Sequence, residues 1–133
     1  MEYTVSTLSD KPDYAFREKL FSPWLGPEAL QAHVDHMVEN GMLPLYTEHE
    51  PDLGFREIYW TPNVRTYFEV RSNRTFDEFM EIAERNLEQG HPIATLQIDK
   101  AGGFSSVWLS SEGMEAAKPV LKSLGITAAQ ISL

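Results

Sequence analysis

Two groups of residues in this chain have types and spacings that chemistry could use. His33 and His36 stand three residues apart, with Glu39 three further on. On a helix that spacing brings all three to neighbouring positions on one side, where two imidazoles and a carboxylate could hold a divalent metal. The second group is Glu48-His49-Glu50-Pro51-Asp52, an imidazole among three carboxylates. A histidine beside Glu48, Glu50 or Asp52 is the minimum for general acid–base work, and it defines an enzyme reading. Ordinary solvated residues show both spacings as well, so no metal, cofactor or catalytic residue is assigned from them.

Other chemistries are excluded. There is no cysteine, hence no disulfide, thiolate metal site, Fe–S cluster or cysteine nucleophile. Gly102-Gly103 lacks the flanking glycines and lysine of a phosphate-cradling loop. Gly103-Phe104-Ser105-Ser106-Val107 lacks the second glycine of a nucleophile elbow. The serine pairs at 105–106 and 110–111 read as strand edge and helix cap. Asn73-Arg74-Thr75 matches a glycosylation sequon, but Thr75 already has a capping role.

The elements that must position these residues follow from an internal repeat. Gly41 and Gly54-Phe55 are spaced like Gly90 and Gly103-Phe104 (54 − 41 = 103 − 90 = 13), at an offset of 49. The same offset lays Leu30 on Phe79, Val34 on Ala83 and Val38 on Leu87. Each copy, roughly 27–60 and 76–109, reads as a helix closed by glycine and then two strands. The first helix runs from about Pro27 to Asn40 on a stripe of Leu30, Val34, Met37 and Val38, followed by strands at 42–48 and 55–60. A strand at 66–71 alternates Tyr67 and Glu69 against Phe68 and Val70. Thr75-Phe76-Asp77-Glu78 is a capping box opening a helix to Gln89 that buries Phe76, Phe79, Ala83 and Leu87. Strands at 93–98 and 104–109 follow. Ser110 caps a third helix that Pro119 should kink or divide and Gly125 ends. Outside the repeat, a strand fits residues 2–8, and Ser9–Asp13 is turn chemistry. A short helix from Tyr14 to Phe21 should place Phe16, Leu20 and Tyr14 inward. Residues 128–133 form a last strand or a tail.

The metal-type pair His33 and His36 aligns with Ile82 and Arg85, so it does not belong to the repeated scaffold. Tyr59 aligns with Trp108, and Trp60 follows Tyr59. If the copies pair, Tyr59, Trp60 and Trp108 would floor a crevice between them for a small apolar or aromatic ligand; filling the core is the other use for such rings. The loop Glu48–Asp52 carries three carboxylates, whereas Asp99 and Lys100 cancel in the partner loop.

The fold class expected is α+β: one domain over 1–133, with pseudo-duplicated strand–helix–strand–strand modules sharing an antiparallel sheet and a C-terminal helix. This element order is similar to that of duplicated strand–helix–strand–strand folds such as the small-molecule-binding domains of some bacterial regulators. Twenty acidic against 11 basic residues give a formal charge of −9. Such a surface repels phosphate backbones and anionic lipid, which argues against nucleic-acid and membrane partners. No basic, apolar leader opens the chain and no apolar run approaches the ~20 residues that span a bilayer, so a cytoplasmic location is expected. The leading functional expectation is a non-enzymatic acidic protein, of inhibitor or immunity type, binding a basic surface on a protein partner. Glu48, Glu50 and Asp52, joined by Asp35 and Glu39, would form its contact. The alternative is a small-molecule-binding domain with its crevice between the repeats.

Overall fold

A computed structural model describes residues 1–11 and 14–133; Pro12 and Asp13 of the expected turn lie outside them. The described residues form a mixed α+β fold of four helices and several antiparallel sheets: β1 (Glu2–Thr4), α1 (Tyr14–Leu20), α2 (Pro27–Glu39), β2 (Leu43–Glu50), β3 (Gly54–Trp60), β4 (Phe68–Arg74), α3 (Phe76–Glu88), β5 (Ile93–Ile98), β6 (Phe104–Leu109), α4 (Ser111–Ser123) and β7 (Gln130–Ser132). No helix among them is long and apolar enough to cross a membrane.

Local chemistry accounts for most boundaries. α2 begins with Pro27, whose missing N–H costs nothing in the first turn, and ends where Gly41 takes φ +77°. Thr75 and Glu78 form the capping box of α3, with reciprocal bonds of 3.1 and 2.9 Å. Gly90, at φ +79°, closes that helix. The Ser110 hydroxyl accepts from the Gly113 N–H at the start of α4. Pro119 does not divide α4, which runs unbroken to Ser123.

β4, β6 and β5 form one sheet in that order, and β2 pairs with β3 in another. β2 packs along the three-stranded sheet, tied by the Thr95 hydroxyl to the Leu45 carbonyl at 2.7 Å. The stretch 21–25 lies beside β3, bridging Phe21 to Ile58 and Leu25 to Phe55. The main core gathers Leu45, Ile58 and Trp60 with Val107 and Leu109 under α4, which contributes Met114, Ala117 and Leu121. A second cluster packs Phe79 and Ala83 of α3 on Phe104 and Trp108.

The chain ends depart from expectation. The first strand covers only Glu2–Thr4, and residues 130–132 are its antiparallel partner. α1 is inverted: Tyr14, Phe16 and Leu20 are exposed, while Arg17 is buried. Arg17 donates to the carbonyls of Ser9 and Leu124, both at 3.0 Å. Leu124 caps the C-terminal end of α4, where carbonyls lack helical partners, so a guanidinium serves there better than an aromatic ring. In α3, Phe76 is exposed, and Asn86 is buried beside Phe79 and Ala83.

Candidate functional site

The acidic tip is largely neutralised within the fold. Glu48 accepts from Arg56 at 3.1 and 3.0 Å, and Arg56 also reaches Glu18. The Arg56 guanidinium lies over the rings of Phe21 and Trp24. Asp52 meets Lys100 at 2.7 Å, and that ammonium holds its carboxyl below the usual range. Glu50 is half-buried. His49 turns to Asp99 on the other hairpin rather than to its own loop. The Asp99 carboxylate is buried, which works to raise its pKa. The His49 bond and the N–H groups of Gly103 and Ala101 outweigh that and lower it. Gln97 adds two bonds to the His49 backbone, so the loops the sequence set apart are fastened together.

The other sequence-derived sites are spread out. Asp35 and Glu39 are exposed on α2. His33 sits edge-on to Tyr59 at 5.4 Å, and His36 is exposed. Among the described residues no three His, Asp or Glu side chains group closely enough to hold a metal ion. Trp108 is fully buried under α3, its indole N–H on the Ser106 hydroxyl at 2.9 Å. Trp60 lies in the main core and Tyr59 lies half-buried near α2. These three rings therefore do not floor one crevice. Trp108 is in one core cluster and Trp60 in the other.

The concavity with chemical content lies beside α2 instead. Leu30, Val34 and Val38 of α2 form one wall of a groove of about 720 Å³. Phe55 and Glu57 of β3 line it too, and β4, from Phe68 to Arg74, forms the opposite wall. The Thr47 and Ser72 hydroxyls, 2.9 Å apart, fix β2 to β4 there.

Two buried carboxylates line this groove, and their surroundings differ. Glu69 accepts both Arg85 terminal nitrogens, at 2.8 and 2.6 Å, with further bonds from Arg71, Tyr67 and Asn86. Burial works to raise its carboxyl, but these donors win and hold it well below the ordinary range. Glu57 is 0% exposed. Its Oε1 accepts the Tyr59 hydroxyl at 2.5 Å, and among the described residues its Oε2 has no partner within hydrogen-bond distance, the Thr47 hydroxyl acting from farther off. Burial pushes Glu57 up to about 7, with the Tyr59 and Thr47 hydroxyls pulling back. Burial and then the Glu57 charge push the Tyr59 hydroxyl upward, which keeps it a donor.

Sequence reasoning passed over both carboxylates as strand residues. The available signal was a glutamate between aromatics on one strand face: Glu57 between Phe55 and Tyr59, and Glu69 beside Tyr67. Comparison with protein-family models, with curated proteins and with solved structures gives no match to this chain.

Proposed function

We propose that this protein is a small-molecule-binding domain whose ligand lies in the groove beside α2 with a cationic nitrogen on Glu57. The uncompensated Glu57 carboxylate carries this reading. A buried carboxylate without a counter-charge costs free energy in the empty protein, and a ligand that supplies the charge removes that cost. The apolar side chains of α2 and β4 suit a hydrocarbon or aromatic body. Glu48 and Asp52 already have cationic partners, so the acidic tip retains less charge for a basic protein surface than its composition implies. For that reason the groove is preferred over the tip.

The fold behind this reading is, we further propose, a duplicated strand–helix–strand–strand unit whose first strand survives only as residues 21–25. Pair registers at the offset of 49 support it. Phe21 with Ile58 matches Val70 with Val107 (70 − 21 = 107 − 58 = 49), and Leu25 with Phe55 matches Arg74 with Phe104. The hairpins agree as well. His49 with Phe55 matches Ile98 with Phe104, and the irregularity between Pro44 and Tyr46 matches that between Ile93 and Thr95.

Calorimetric titration with octylamine, and with octan-1-ol as its neutral counterpart, tests the binding reading. Octylamine should bind about tenfold or more tighter than the alcohol, as a charge-assisted bond implies. Glu57→Gln should remove the difference. Equal affinities in the native protein would overturn the assignment to Glu57.

A further inference from the structure

The two walls of the groove carry opposite charge. Asp35 and Glu39 line it from α2, with Glu57 buried beside them. Arg71 and Arg74 line it from β4. In a chain of net charge −9 this is a concentration of arginine, and Arg85 adjoins it through Glu69. The walls do not pair across the gap. Arg71 gives its Nε to Glu69 and stays 44% exposed. Among the described residues, Arg74 has one ion pair, a long contact of 3.9 Å to Glu78. The Arg74 Nε is itself buried and, among the described residues, has no hydrogen-bond partner.

The groove is thus lined by two residues with unpartnered buried atoms of opposite character: the Glu57 Oε2, an acceptor, and the Arg74 Nε, a donor. A guanidinium does not deprotonate, so Arg74 cannot relieve its missing bond by changing charge. A purely cationic ligand would satisfy Glu57 and leave Arg74 as it is. A purely anionic one would meet Asp35, Glu39 and Glu57. We infer that the groove takes a zwitterion with an apolar body, its amine on Glu57 and its carboxylate or other anionic group on Arg74 and Arg71. This rests on the cation reading above and adds the second end of the ligand. Arginine suits that end because its fork of donors matches a planar carboxylate.

The probes are 8-aminooctanoate, octylamine and octanoate, which share one chain length and differ only in their charged ends. Affinities by calorimetry should fall in that order, with the zwitterion about tenfold or more tighter than the amine. Arg74→Gln should bring 8-aminooctanoate to the octylamine level and leave octylamine unchanged. Arg71→Gln should act in the same direction more weakly. Neither arginine is in a hydrophobic core cluster, so the variants should fold, and an unchanged melting temperature would verify that. If 8-aminooctanoate and octylamine bind alike, or if the advantage survives both substitutions, the anionic subsite is overturned while the cation reading stands. If Glu57→Gln leaves the binding of both amines intact, or neither binds, the cation reading falls and the zwitterion with it.

Discussion

α2 and α3 are both thirteen-residue helices that precede a β-hairpin, yet α3 covers a closed core and α2 borders a groove. α3 buries Phe79, Ala83 and Asn86, whereas α2 buries no residue. The difference begins with the residues beneath. Under α3 the Ser106 hydroxyl is satisfied by the Trp108 indole, and the ring fills the space. Near α2, Tyr59 is smaller than Trp108, and Glu57 brings a carboxylate with one unpartnered oxygen. That oxygen is already shut off from solvent, and α2 supplies it no partner. A serine thus lies beneath the closed core, and a glutamate lies beside the groove.

The largest expected effect contrasts the two helices directly. Phe79→Ala should cost about 3–5 kcal/mol of unfolding free energy, as large truncations in a closed core do. Leu30→Ala, from a half-buried wall of the groove, should cost about 1 kcal/mol or less. Denaturant titration of the pair would break the comparison if the two costs were equal.

Next comes the pH dependence of Glu57. Its pKa is raised from 4.5 to about 7 in the folded protein. The native state therefore holds more protons than the unfolded one between those values, and stability must fall as the pH rises through that window. A shift of that size corresponds to about 3 kcal/mol. Glu57→Gln should flatten the slope between pH 4.5 and 7 and leave the variant more stable than the native protein at pH 8. Glu69 works with the opposite sign. Its carboxyl is held low by Arg85 and its neighbours, so its contribution is present above pH 4.5 and is lost on acidification below it. Urea midpoints at pH 5 and pH 8 that coincide for the native protein would show Glu57 to be relieved by something other than a ligand.

The smallest effect belongs to the acidic tip. Asp52 and Lys100 are both exposed, and an exposed pair of this kind contributes little. Asp52→Asn should leave the melting temperature unchanged within measurement. Glu48→Lys should lower it, because it would set an ammonium against Arg56 where a carboxylate is now held. Equal behaviour of the two variants would mean that the tip is not organised by Arg56.

What the sequence determined by itself is local. Pro27, the Thr75–Glu78 box, Ser110 and the glycines at 41 and 90 set the helix ends, since each acts through its own backbone neighbours. The hairpins 43–60 and 93–109 were legible too, because apolar period and turn glycines are carried within each segment. Tertiary structure decided the rest, and each instance is a contact between distant positions. Arg17 turned inward and its aromatic neighbours outward because the carbonyl it serves lies 107 residues away. His49 found Asp99 fifty residues on instead of the acids beside it. Glu57 and Glu69 are both strand glutamates near tyrosine. Only the arrival of Arg85 and Asn86 from α3 ties Glu69 into a full shell of donors, whereas α2 brings no donor to the Glu57 Oε2. Desolvation and charge pairing depend on what surrounds an atom in space, and the neighbours along the chain do not specify that.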